Sequence, residues 1–335
     1  LDEWFHGRGG SWELEGDISR QVEDGAAQYP APTQGASMDA DLDLLLIAVF
    51  CTAADLLPDK PYNARRIVSD AEVVTLCVAQ AIMGIPSDRK FRVVAGRRLA
   101  HLFLRMPQRS GLYKRRERLT ETIEGLINEF ARHSPGYDDE LVLVDSTPVE
   151  CARSRETVKR AGASSLTDAL ANAADYGYCA SHSRYFYGFR LHALCAMDGT
   201  PRSLVLTSPK IDEKTICLQM LAQCHRLPGQ KLTVIGDKNY RGSAFESQLA
   251  NLDAVIMRPR RKDEPGKGPH LAPIRQRIES IYWTFKDVLT LERHGARTLH
   301  GLRTRLICRF VAFSAAIALN HRLNRPSRSL ACYTT

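Results

Sequence analysis

Two aspartates and a glutamate stand where a folded core could hold negative charge at its edge. In "LVLVDSTPVE", residues 141–150, four apolar residues with the pattern of a buried strand run straight into Asp145. "LTVIGDKNY" repeats the arrangement and delivers Asp237 to the carboxyl end of a strand, where open α/β sheets place their ligands. In "RQRIESIYWTFKD", Ile278, Ile281 and Phe285 recur at helical spacing, while Arg275, Glu279 and Lys286 advance by four and then seven along one face. Three converging carboxylates repel one another unless cations sit between them, and oxygen-only ligands suit Mg²⁺ or Mn²⁺. Two such ions roughly 3.5–4 Å apart activate an attacking oxygen and stabilise the leaving 3′-oxygen of a phosphodiester. Lys286 would then hold a phosphate or base of the strand being cut, and Arg275 would do the same or neutralise Glu279.

Each residue also has a plainer explanation. Asp145 could cap a turn built from Ser146, Thr147 and Pro148, Asp237 could form a turn ahead of Asn239, and Asp212 reads as the N-cap of a helix. Glu279 could be half of an ordinary helix ion pair with Arg275, worth a few tenths of a kcal/mol, roughly. A phosphoaspartyl reading of "VDSTP" is weakened because the second acid expected two residues on is Thr147. The argument for shared chemistry rests on the three acids together. His192 is read as a satisfied strand histidine in preference to a DNA or metal contact, and Tyr185 and Tyr187 as core or rim aromatics in preference to base-stacking groups.

The elements that must position these residues follow from periodicity. Residues 39–58 read as one buried or amphipathic helix, and 69–84 as another, with Ser69 and Glu72 forming a capping box and Gly84 a stop. Two more helices are expected over 89–105 and 112–133. After the turn-rich "HSPGYDDE" the pattern changes: a strand ends at Asp145, an irregular or partly helical excursion fills 151–183, and two strands joined at Asp198–Gly199 form a hairpin. A helix from Asp212, a strand ending at Asp237, a short helix over 243–250 and a strand over 253–259 come next. Helices over 274–289 and 299–322 close the chain. The expectation is an α/β fold with a mixed sheet flanked by helices, preceded by an all-helical part. Residues 1–37 read as a disordered extension, 38–137 as a helical DNA-binding domain, 138–325 as the catalytic domain and 326–335 as a tail.

The chain of 335 residues has an ordinary apolar fraction of 44% and a net charge of +8. No apolar run approaches the roughly 20 residues needed to span a bilayer. Nine cysteines, without a C-x-x-C pair, fit reduced thiols in a cytoplasmic protein. From Arg258 onward sixteen Lys or Arg face five Asp or Glu, which points to a polyanion as partner. Arg258, Arg260, Arg261 and Lys262 in the loop "RPRRKDEPGKGPHLAP" are the densest group, and Arg97, Arg98, Arg105, Arg109, Lys114, Arg115, Arg116 and Arg118 add basic density to the helical part.

Taken in order, "VDSTP", "YFYGFRLHAL", "GDKNYRG" and "RQRIESIYWTFKD" resemble the catalytic domain of bacterial insertion-sequence transposases of the DDE type, over roughly residues 141–320. That resemblance implies an RNase H-like fold and a metal-binding triad of Asp145, Asp237 and Glu279, with Arg275 and Lys286 contacting DNA. It implies two Mg²⁺ or Mn²⁺ ions per active site, and double-stranded DNA, both element ends and target, as partner of a homodimer in the bacterial nucleoid. Two positions depart from the family pattern: Ala272 stands where a Tyr precedes the Arg, and Asn239 stands where D-K-G-Y has Gly. Asn accommodates the left-handed backbone of such a turn better than most residues. A nuclease that cuts without joining strands, and a DNA-binding protein without catalysis, are the competing readings.

Overall fold

The computed structural model describes residues 40–58, 67–152, 169–179, 183–264 and 271–334. The expected extension over 1–37, most of the 151–183 excursion and the middle of the basic loop lie outside them. Five helices come first: α1 (Ala40–Leu56), α2 (Asp70–Ile82), α3 (Asp88–Arg98), α4 (Arg109–Arg118) and α5 (Thr120–Arg132). The capping box of α2 is formed, with Glu72 accepting the Ser69 amide at 2.5 Å and Ser69 Oγ accepting the Glu72 amide at 3.1 Å. The single helix expected over 112–133 is two. The chain breaks at Leu119, where the Thr120 hydroxyl lies 2.7 Å from the Glu117 carbonyl and 2.7 Å from the Thr304 hydroxyl. A threonine that bonds its own preceding turn competes with helix continuation, and tertiary contact settles the competition.

The mixed sheet has the order β2–β3–β1–β5–β6, and β4 also pairs with β3. Its strands are β1 (Leu141–Ala152), β2 (Asp175–Cys179), β3 (Arg184–Ala196), β4 (Pro201–Thr207), β5 (Leu232–Ile235) and β6 (Ala254–Met257). Between β1 and β3 the pairing is antiparallel, whereas β1–β5 and β5–β6 are parallel. The strand expected to end at Asp145 continues to Ala152, because pairing with β3 from Val142↔Ala196 onward overrides the local turn chemistry of Ser146–Pro148. Beyond Leu143 the pairing with β5 stops, and where a strand is not hydrogen-bonded on both sides it tolerates proline. The β3–β4 hairpin forms at Asp198–Gly199 as expected, with Gly199 at φ +104° and the Asp198 carboxylate accepting the Thr200 amide at 2.8 Å.

Connecting helices α6 (Leu170–Ala173), α7 (Glu213–Gln223) and α8 (Ser243–Ala250) precede α9 (Ala272–Lys286), α10 (Leu299–Arg322) and α11 (Ala331–Thr334). On one face of the sheet Ile216, Met220 and Leu221 of α7 and Leu249 of α8 bury against Val142, Val144, Leu194 and Val234. Helix α10 is buried almost throughout and packs against α2 and α5, so the first five helices share its core with the sheet. Residues 38–335 form one compact unit. Phe285 of α9 packs at a tilt against Phe310 and Phe313 of α10, with ring centres 4.3 and 4.9 Å apart. Such pairs contribute about 0.5–1.5 kcal/mol beyond the area they bury, and they fix α9, the helix carrying Glu279, onto the core.

Candidate active site

Parallel pairing of β1 with β5 ends at Leu143↔Ile235, and two residues further along each chain stand Asp145 and Asp237. Asp145 thus stands just past the paired end of the two strands and Asp237 in the turn after β5, near enough for the Asp237 charge to act on the Asp145 carboxyl. The turn carrying Asp237 is tight. Gly236 donates its amide to the Met257 carbonyl, and a Cβ at Gly236 would meet the buried Tyr240 ring at 2.8 Å. Asn239, the departure from the family pattern, holds both Asp237 oxygens: its amide reaches Oδ1 at 2.7 Å and its Nδ2 reaches Oδ2 at 2.9 Å. Arg261 in turn bonds Asn239 Oδ1 at 2.7 Å and the Lys238 carbonyl at 3.2 Å.

Asp145 is half-buried, and burial drives its carboxyl up to about 7. The Ser146 amide, 2.8 Å from Oδ1, pulls it down; the charges of Glu213 and Asp237 push it up, and Arg275 opposes them. Glu213 escaped the sequence reading because an acid in the first turn of a helix needs no further explanation. It takes hydrogen bonds from Ser146 Oγ at 2.9 Å and from Arg190. His192 lies fully buried on β3, with Nε2 3.1 Å from Thr207 Oγ1, and burial lowers it to about 4. It is a neutral core histidine.

Helix α9 crosses this point. Tyr282, also missed, donates its buried hydroxyl to the Asp145 carbonyl at 2.7 Å and approaches the Leu191 carbonyl at 3.5 Å. Arg275, Glu279, Tyr282 and Lys286 follow at intervals of four, three and four, so the residue bonded to the Asp145 backbone shares the stripe of the expected motif. Glu279 has a side chain 61% exposed and lies 3.9 Å from Arg275.

The two aspartates fit a hard divalent cation: their donors are oxygens, and two further charges crowd a carboxyl that burial already disfavours as an anion. Asn239 leaves lone pairs on each Asp237 oxygen. Glu279 is not gathered with them, since among the described residues no three acidic, His or Cys side chains converge tightly enough to cage an ion. The basic loop divides. Arg258 is only 15% exposed and grips Glu264 with bonds of 2.7 and 2.8 Å, so it braces the loop; Arg261 braces Asn239, and Arg260 and Lys262 are exposed.

No helix among the described residues is long and apolar enough to cross a membrane. No curated protein and no solved structure matches the chain. A family model does: the transposase DDE domain matches residues 136–314, a span from just before β1 into α10 that holds Asp145, Asp237 and the Arg275–Lys286 stripe. The mixed sheet and its flanking helices accord with the RNase H-like fold of that domain, and the chain belongs to the transposase DDE domain family.

Proposed function

We propose that the chain cleaves DNA strands at the ends of a mobile element and transfers them into target DNA, with Asp145, Asp237 and Glu279 as its metal-binding carboxylates. The observation that carries this reading is the placement of Asp145 and Asp237 two residues beyond the last paired positions of two parallel strands, crossed by a helix whose Arg–Glu–Lys stripe is pinned to the Asp145 backbone by Tyr282. Mg²⁺ or Mn²⁺, two ions per site, would neutralise charge on the attacked phosphate and on the departing oxygen. Asp145 and Asp237 would hold the metal through their carboxylate oxygens. Glu279, on the helix that crosses them, would supply the third carboxylate. Arg275 and Lys286 orient the strand for in-line attack, with the loop cations Arg260 and Lys262 on its flank.

In the first step water forms a bond to phosphorus and the 3′-oxygen leaves, taking a proton. In the second that 3′-hydroxyl attacks a target phosphodiester and displaces one of its oxygens. Both are displacements at phosphorus, so one site serves both, and a homodimer on DNA would present the two element ends together. The test is cleavage and joining of DNA carrying the sequences that flank the coding region, in Mg²⁺ or Mn²⁺. Asp145→Asn and Glu279→Gln, each folded, should lose both steps. Intact cleavage by Glu279→Gln would remove Glu279 from the triad, and cleavage without joining would reduce the activity to that of a nuclease.

A further inference from the structure

A cleft of about 730 Å³ opens where three helices begin. Its walls include the first turns of α3 and α4 and the start of α10, with the loop 295–297 along one side. Arg89, Arg109, Arg297 and Arg305 line it, brought together from positions up to 216 residues apart. Its acidic wall residue, Asp88, is spent: Arg305 Nη2 bonds both oxygens at 2.9 Å, and Gln80 and Arg116 share Oδ1. Among the described residues no carboxylate pairs with Arg89, Arg109 or Arg297. The N-cap of α4, Gln108, makes no side-chain cap bond, so the first amides of that helix face the cleft without a capping acceptor. Beneath Tyr113 in the cleft wall, Arg116 is 2% exposed, and among the described residues its Nε and Nη2 have no hydrogen-bond partner. Three guanidinium groups that no carboxylate of the described residues compensates, beside the one helix N-terminus of the cleft without a side-chain cap, make an anion site, and planar forked donors suit phosphate oxygens.

We infer that this cleft holds the sugar–phosphate backbone of duplex DNA away from the phosphate being cut. The inference rests on the transposase reading and adds a second DNA contact to it. The fold also sets the spacing. The loop 295–297 follows His294, whose Nε2 meets the Glu150 carbonyl at 3.2 Å. Five residues of β1 separate Glu150 from Asp145, about 17 Å. That is about five base steps at 3.4 Å each, so the chain reaches the cleft from the end of β1 away from Asp145. Contacts of this kind carry register rather than sequence.

The test is binding of a duplex oligonucleotide by the full chain, followed by fluorescence anisotropy between roughly 50 and 200 mM salt. The triple variant R89A/R109A/R297A is compared with R132A/K210A/K231A, which removes three cations outside the cleft, after thermal unfolding has shown both to be folded. The cleft variant should flatten the slope of log Kobs against log salt by about two to three, at about 0.9 per lost phosphate contact, while the control leaves it within one. Equal changes in the two variants, or none in the cleft variant, would overturn the inference. If Asp145→Asn still abolished cleavage in that event, the proposed activity would stand without the cleft. A wild-type chain that bound no duplex would overturn both.

Discussion

Replacing Asp88 with Asn changes one buried charge and almost no volume, and its effect follows from the geometry. The Asp88 side chain is 15% exposed and serves Arg305, Arg116 and Gln80 at once, while the Arg116 side chain is 2% exposed. Burial raises its carboxyl, but the charges of Arg116 and Arg305 outweigh burial and bring it from 3.8 to about 2. The ionised form is therefore favoured in the fold by nearly two pH units, about 2–3 kcal/mol at about 1.4 per unit. Both guanidinium groups stay charged at neutral pH, so the variant leaves them buried without a counter-ion, a loss that reaches about 3–5 kcal/mol in other buried pairs. Because the folded value lies below the unfolded one, the stabilisation is complete above pH 3.8 and is lost as pH falls toward 2. Urea unfolding of both proteins should therefore show a gap of about 2–3 kcal/mol at neutral pH that narrows steadily between about pH 4 and 2. A gap below about 0.5 kcal/mol at neutral pH, or one that stays constant down that range, would refute the charge argument.

Two further variants probe the site from its second layer. Tyr282→Phe keeps the ring in place and removes the hydroxyl bonded to the Asp145 carbonyl, which should lower stability by about 1–2 kcal/mol and single-turnover cleavage about tenfold. Urea unfolding and quenched-flow cleavage would measure the two losses, and wild-type cleavage in a destabilised protein would show that Tyr282 supports the fold alone. Asn239→Ala removes the 2.9 Å bond to Asp237 Oδ2 and the acceptor of Arg261, and groups that orient metal ligands typically carry about 10–100-fold in affinity or rate. The Mn²⁺ concentration for half-maximal cleavage should rise within that range. A value within about twofold of wild type would leave Asn239 with only a turn to make.

The two aspartates could be read from the sequence because each stands at a fixed distance along an apolar strand, and parallel pairing brings the ends of those two strands together. The stripe on α9 could be read for a similar reason, since helical spacing alone aligns Arg275, Glu279 and Lys286. Local chemistry misled where pairing was stronger: Ser146–Pro148 carries turn residues, yet ten paired positions with β3 draw it into β1. What spacing could not express is which partner a polar group finds across the fold. Arg258 and Arg261 lie three residues apart in one basic run, and the structure spends one on Glu264 and the other on Asn239. Conversely Arg109 is one of many cations in the helical part, Arg89 and Arg297 stand out in no pattern, and the three meet in one cleft because α10 packs on the first helices. A count of cations along a chain measures how strongly it can attract DNA. Where the DNA lies is decided by the cations the fold leaves unpaired, which places the second contact on α3, α4 and the approach to α10 rather than at Arg258.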